Sequence, residues 1–326
     1  MSSFNASFSQ NIVIVHPEYF FIIGLTDVSY STNYYIFLFF IYIIAVIGNS
    51  IVLLIIPLER RLHSPKYIGV FNLALADMGG TNALIPNMMK TFFFDSQYIS
   101  YNACLASMFF MYLFSTMQSV CLVVLAFDRS IAICLPLRYH GLMNNTVMSV
   151  VLLVLWVFNS CLIALMVSSI TRLSFCESNK ISSLFCDHGP VFRLACNDNS
   201  MNKFITNLIA NLFIIAPLLI IIVSYLGIFL ALVKITTWEA RLKALKTCIS
   251  HLLLVGSFFL PIICIYITTS TTSLSSNARI IMTSLAYVAP PMLNPIIYVL
   301  NTAEIKYVIQ NVCKNRHLLI RKKINQ

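Results

Sequence analysis

Side chains able to do chemistry are few in this sequence, and the informative ones lie in or at the ends of long apolar stretches. Asp77 follows Leu73-Ala74-Leu75-Ala76 midway along one such stretch. A carboxylate at mid-membrane costs about 2.5–3.5 kcal/mol on insertion scales, so it needs a partner or a hydrated cavity. Asn49, Gln118 and Asn294 stand at similar depths in other stretches and could surround it. That set suits a hydrated cluster or a cation site. It suits equally well a group of interhelical hydrogen bonds worth about 1 kcal/mol each. Asp128 and Arg129 are adjacent charges closing a further stretch, with Arg129 long enough to snorkel or to reach a neighbouring helix. No nucleophile and base pair, phosphate loop or zinc motif occurs. An enzyme is therefore not expected, and neither is a cofactor or a metal.

The elements that hold these residues follow from composition. Of the 326 residues, 59% are hydrophobic and 10% charged, a balance outside the soluble range. Seven runs are long enough to cross a hydrocarbon core of roughly 30 Å, which takes about 20 helical residues. They lie at 33–56, 67–89, 104–127, 146–169, 204–233, 248–270 and 279–300. Backbone groups in lipid must be satisfied within the segment, and the alternation of a barrel strand is absent, so the runs read as helices. Pro86, Pro217, Pro261, Pro290, Pro291 and Pro295 all fall inside them. There they act as static bends or as pivots, with neighbouring helices satisfying the freed carbonyls.

Orientation follows from the cations. With the N-terminus outside, all 21 Lys and Arg are cytoplasmic except Lys90, Arg172, Lys180, Arg193, Lys203 and Arg279, which satisfies the positive-inside rule. The net charge of +10 is then mostly a topology signal, with Arg321, Lys322 and Lys323 near anionic lipid rather than nucleic acid. The first 30 residues have no basic n-region, so no signal peptide is expected and the first helix inserts itself. The expected division is an extracellular segment 1–32, a seven-helix domain 33–300 and a cytoplasmic tail 301–326.

The loops add detail. Asn5-Ala6-Ser7 is a glycosylation sequon on the outer segment, whereas Asn144-Asn145-Thr146 falls on the cytoplasmic side and should stay unmodified. Cys104 begins the third run, and Cys176, Cys186 and Cys196 lie in a long outer loop in an oxidising setting. Three pairings are open to these four cysteines, and one bond must tie loop to helix. Cys121, Cys134, Cys161, Cys248 and Cys264 read as packing thiols. After the last run, Ile305, Val308, Ile309 and Val312 recur at helical spacing against Lys306, Gln310 and Lys314, as in a short amphipathic helix on the inner surface. Cys313 beside it is a candidate for palmitoylation.

Taken in order, Gly48-Asn49, Leu73-Ala74-Leu75-Ala76-Asp77, Asp128-Arg129 and Asn294-Pro295-Ile296-Ile297-Tyr298 resemble the rhodopsin-like family of G-protein-coupled receptors across nearly the whole chain. Within it the chain resembles the odorant receptors. The further motifs are Leu62-His63-Ser64-Pro65-Lys66-Tyr67, the stretch from Ala126 to Tyr139, the stretch Lys243 to Leu252 that contains Lys246 and His251, and Pro290-Pro291-Met292-Leu293-Asn294-Pro295. Pro261 leans toward the fish members. Departures are Ser130 in place of the usual Tyr, Lys66 in place of Met, and Gln118 in place of an acid, which weakens the case for sodium at Asp77.

The resemblance implies an all-α, rhodopsin-like seven-helix membrane protein with a short amphipathic helix after the seventh span, and bridges Cys104–Cys186 and Cys176–Cys196. It implies an odorant held between the third, fifth, sixth and seventh helices by Met111, Tyr112, Ser115, Thr116, Ile209, Phe213, Phe259, Ile262, Tyr266, Ser284 and Tyr287. An apolar wall with a few hydroxyls suits a small, weakly polar ligand. Met111 stands where amine receptors carry an acid, which disfavours a biogenic amine. On the inner side the resemblance implies that Asp128, Arg129, Tyr225, Lys243, Lys246, His251, Asn294, Pro295 and Tyr298 serve activation and coupling to a heterotrimeric G protein that raises cyclic AMP. The implied setting is the plasma membrane of olfactory cilia or dendrites, with lipid and no nucleic acid as partner. A receptor of this fold for a peptide or lipid is the alternative; a transporter would want internal repeats and more ionisable groups at mid-membrane.

Overall fold

A computed structural model describes residues 14–25, 30–94, 97–176, 178–271, 275–302 and 304–310. Seven long helices carry the chain: α1 Ser31–Leu58, α2 Pro65–Phe94, α3 Tyr101–Cys134, α4 Asn145–Ser168, α5 Ser200–Lys234, α6 Trp238–Thr271 and α7 Ser276–Asn301. Each is long and apolar enough to cross a membrane, and the chain is a multi-pass membrane protein. Phe37, Phe40, Ile47 and Leu54 of α1, and Leu153, Val154 and Val157 of α4, face outward. In water such faces would be a liability; in lipid they are the solvent-matched side.

Polar residues at the helix starts supply the missing acceptors for free N–H groups. Ser100 accepts from the Ala103 N–H at 3.4 Å, Asn144 from Val147 at 2.9 Å and Ser275 from Ala278 at 3.3 Å. Asn144, the first residue of the second sequon, is thus a helix cap.

Close helix approach rests on small residues and on prolines with partners. A Cβ on Gly48 would lie 2.7 Å from the Pro295 ring, so the glycine lets α1 lie directly on α7. Pro217 lacks the N–H that the Phe213 carbonyl would otherwise receive. Ser119 of α3 donates to that carbonyl at 2.6 Å, beside a π-helical turn at Asn211–Ile215.

The helices outrun the apolar runs that predict them, most of all α6, which begins ten residues before Cys248 with a charged segment. Hydropathy reports the lipid-facing part of a helix, and α6 continues as a helix beyond it.

At one end of the bundle, β1 Tyr19–Ile22, β2 Tyr98–Ser100 and β3 Lys180–Ile181 form a sheet in the order β2-β1-β3, antiparallel on the first side and parallel on the second. Disulfides join Cys104 to Cys186 and Cys176 to Cys196 at the same end. The long outer loop carries β3 and a single helical turn, His188–Phe192. At the opposite end residues 304–310 are helical, with Ile305 buried in the core, Val308 buried as well and Lys306 exposed. Asn5 and Cys313 lie outside the described residues.

Candidate functional site

The disulfide end is built on α3. The Cys104–Cys186 bond holds the loop to the start of α3, and the next loop residue, Asp187, accepts a hydrogen bond from the Tyr112 hydroxyl at 2.6 Å. Burial pushes the Asp187 carboxyl above the usual carboxylate range, against the hydrogen bonds from Tyr112 and the Gly189 N–H and the charges of Arg279 and Arg193. The neighbouring His188 is buried, with Nδ1 3.0 Å from the Thr206 hydroxyl of α5. Its burial lowers the imidazole pKa to about 4.

Two cavities open beside this clamp. The first, about 300 Å³, lies between the loop (Ser182, Ser183, Asp187, Arg193), α6 (Ile262, Tyr266) and α7 (Arg279, Thr283, Tyr287). The second, about 190 Å³, is one turn further along α3, walled by Ser115, Thr116, Ile209, Phe213 and Phe258. Tyr112, Ile262 and Tyr287 line both. The second wall is mostly apolar, with Tyr112, Ser115, Thr116, Thr206 and Tyr287 as its hydroxyl-bearing residues, and the Thr116 hydroxyl is engaged with Tyr112 O at 2.7 Å and Asn159 Oδ1 at 2.9 Å.

Eight of the eleven sequence-predicted pocket residues line one or both cavities: Tyr112, Ser115, Thr116, Ile209, Phe213, Ile262, Tyr266 and Tyr287. The other three sit elsewhere. Met111 packs with Leu84, Ile85 and Met88 of α2. Phe259 joins the core nearer the opposite end, while its neighbour Phe258 reaches the cavity. Ser284 turns to α1, its hydroxyl 2.5 Å from that of Tyr34. A helix apolar on all sides does not encode its rotation, so neighbours one position apart are easily exchanged.

Midway along the bundle, Asn294 donates to Asp77 Oδ2 at 2.9 Å, and Asn49 donates to the Ala45 and Pro291 carbonyls, each at 2.9 Å. Gln118 is buried nearby, beside Gly80, with no hydrogen bond to Asp77. Asp77 Oδ1, Asn294 Oδ1 and the Tyr298 hydroxyl are buried without a partner among the described residues. Three of the four expected members thus knit α1, α2 and α7 together.

At the opposite end Arg129 lies 3.7 Å from Asp128, whose other oxygen accepts from the Tyr139 hydroxyl at 2.7 Å. His251 of α6 touches two helices at once. Its Nε2 is 3.0 Å from the Leu122 carbonyl of α3, and its Nδ1 is 2.9 Å from the Tyr225 hydroxyl of α5. A ring nitrogen facing a carbonyl must carry the proton, so Nδ1 accepts from Tyr225. A cavity of about 200 Å³ adjoins these groups, lined by Lys66, Arg129, Lys246, His251, Tyr298 and Glu304. Lys243 is on the same helix, its side chain outside the described part.

Sequence reasoning did not assign Asp187, Arg193, Arg279 or Phe258 to a site. Asp187 was visible only as the residue after Cys186, and the two arginines only as outer cations that the charge rule does not require. Which loop residues fold back over a bundle is a tertiary fact.

Residues 38–316 match the family model for olfactory receptors. The chain is 35% identical to human Olfactory receptor 2A12 over 88% of its own length and 93% of that protein. It is 33% identical to rat Olfactory receptor 1500 over 91% and 96%, and 34% identical to human Olfactory receptor 1M1 over 91% and 95%. Among solved structures, squid rhodopsin superimposes with a TM-score of 0.69 at 17% identity, covering 86% of this chain and 85% of that one, which fixes the fold alone as rhodopsin-like.

Proposed function

The chain belongs to the olfactory receptor family, and from that premise we propose that it binds a small odorant in the cavities around Tyr112 and activates a heterotrimeric G protein at the Arg129 end. It is a signalling receptor and not an enzyme. The observation that carries the proposal is the pairing of two unlike cavities at opposite ends of one bundle. One is mostly apolar and clamped by a disulfide-anchored loop; the other is lined by Lys66, Arg129 and Lys246. The first suits a small organic ligand, the second an acidic or C-terminal protein segment.

A ligand shifts the bundle only by binding one arrangement more tightly than the other. Helix α6 spans both cavities, with Ile262 at the ligand and His251 at the far end, and Pro261 between them. Ligand contacts at Ile262 and Phe258 bias α6 outward. That movement breaks the His251 contacts to Leu122 and Tyr225 and frees Arg129, Tyr225 and Tyr298 to admit the G protein, with Lys243 and Lys246 at the rim. The receptor then raises cyclic AMP through an olfactory, stimulatory G protein. The segment 1–32, glycosylated at Asn5, is extracellular; 33–300 is the receptor domain; the tail 301–326, acylated at Cys313, is cytoplasmic. The chain resides in the plasma membrane of olfactory cilia or dendrites.

Cyclic AMP in cells expressing the chain with a stimulatory olfactory G protein, challenged with odorant mixtures, tests this. A response lost in Arg129→Ala at equal surface density supports it. Silence to every mixture, beside a working control receptor, moves the ligand to another class.

A further inference from the structure

We propose that the preferred ligand is an amphiphilic carboxylate, its anionic head held by Arg193 and Arg279 and its apolar tail running past Tyr112 into the second cavity. The proposal deepens the odorant reading and rests on it for the location of the site.

The charge at the first cavity carries the argument. Arg193 from the loop and Arg279 from the first turn of α7 both line it, and both act electrostatically on Asp187. Neither forms an ion pair among the described residues. Asp187 is already the acceptor of the Tyr112 hydroxyl. Two guanidinium groups therefore face one carboxylate that is committed elsewhere, leaving an excess positive charge at the mouth of a site whose floor is apolar. The charge rule does not account for it, since it favours cations at the other end of the helices. A neutral odorant gains nothing from such a pair, and an amine is repelled by it. A carboxylate matches the fork geometry of guanidinium, and the Ser182, Ser183 and Thr283 hydroxyls on the same wall can complete its hydrogen bonds.

The adjacency of the two cavities sets the rest of the ligand. Tyr112, Ile262 and Tyr287 belong to both walls, so the two cavities adjoin at these side chains, and a ligand headed at the arginines that passes them reaches Phe213 and Phe258. That shape is a carboxylate on a medium-length alkyl or aryl chain. A zwitterionic amino acid fits less well, because its ammonium would meet a cavity in which Arg193 and Arg279 outweigh the single carboxylate, Asp187.

The test uses the purified full chain in lipid nanodiscs and reads thermal stabilisation by octanoate, 1-octanol and 2-aminooctanoate, with cyclic AMP measured in parallel. Octanoate is expected to bind about tenfold or more tighter than octanol, the effect of one charge-assisted contact. Arg193→Gln with Arg279→Gln should remove that advantage and leave octanol binding unchanged. Arg193→Lys with Arg279→Lys keeps the charge without the fork and should retain part of it. Asp187→Asn, which still accepts from Tyr112, should strengthen octanoate several-fold. Equal binding of octanoate and octanol, an advantage that survives the double Gln variant, or tighter binding of the zwitterion overturns the proposal. In those cases a cyclic AMP response to any neutral odorant keeps the odorant reading standing. Absence of binding and response across the panel overturns the carboxylate proposal, and silence to every odorant mixture as well overturns both.

Discussion

The Asn49 side-chain amide donates to the Pro291 carbonyl at 2.9 Å, and that carbonyl is the one left without its helical donor by Pro295, four residues on. The bond ties α1 to α7 beside Pro295, where Gly48 already allows the Pro295 ring to approach. It also explains why an asparagine is kept at 0% exposure in an apolar helix. Asn49→Ala leaves the carbonyl buried and unpaired, which should cost about 1–2 kcal/mol. The expected outcome is a lower melting temperature in nanodiscs and lower surface density. An Asn49→Ala protein that melts like the parent would show that the Pro291 carbonyl is satisfied some other way.

The same arrangement recurs where Ser119 donates to the Phe213 carbonyl that Pro217 leaves free. Phe213 lines the second cavity, so this bond fixes the cavity wall as well as the helix. Ser119→Ala should shift the half-maximal concentration for ligand about three- to tenfold, the effect of about 1 kcal/mol, while Ser119→Thr preserves it. Dose–response curves at matched surface density read the difference.

These two contacts mark the limit of what was legible in the chain. The seven spans were readable because lipid demands about twenty apolar residues in a row, and nothing else produces that pattern seven times. Asp77, Asn49 and Asn294 were readable as a group because polar residues are costly at that depth. The proline positions showed that carbonyls would be freed, but not which side chain on which helix would meet each one. Rotation of Met111, Phe259 and Ser284 away from the cavities was equally hidden, since a helix with apolar residues all round has no polar face to set which side turns inward. The sheet β2-β1-β3 pairs segments about 80 and 160 residues apart along strands of two to four residues, too short for an alternation pattern.

Asp128 is held by two partners, Arg129 at 3.7 Å and the Tyr139 hydroxyl at 2.7 Å. Tyr139→Phe removes the hydrogen bond and leaves a carboxylate at 0% exposure with Arg129 as its ion-pair partner among the described residues. If the pair restrains the resting state, the bond to Tyr139 keeps Asp128 aligned for it. Tyr139→Phe should then raise ligand-free cyclic AMP two- to fivefold, about 0.5–1 kcal/mol of population shift. His251→Phe, which removes contacts to both α3 and α5, should raise it further. Basal activity at or below the parent level in both would assign these contacts to folding alone.

The two disulfides should not be equivalent. Cys104–Cys186 spans 82 residues and Cys176–Cys196 spans 20, so in the chain-entropy model the first stabilises by about 1 kcal/mol more. The first also positions Asp187 on Tyr112. Cys104→Ser with Cys186→Ser should abolish ligand response and most surface expression; Cys176→Ser with Cys196→Ser should leave a measurable receptor of reduced stability. Flow cytometry and cyclic AMP on the same cells separate the two effects.

His188 makes the disulfide end sensitive to acid. Burial holds its pKa at about 4 in the folded chain against 6.5 for a free imidazole, so the unfolded state binds the proton first as pH falls. Stability from the neutral ring is fully present above pH 6.5 and is lost progressively as pH drops toward 4. Asp187 works in the opposite sense: its raised carboxyl takes up a proton in the folded state and gains stability on acidification. The two can be separated with His188→Gln, which keeps a hydrogen-bonding side chain opposite Thr206 and removes the titration. Melting temperatures from pH 7.5 to 5.0 should fall more steeply for the parent than for His188→Gln. Parallel curves would place the acid sensitivity on other groups and leave His188 as a packing residue between the loop and α5.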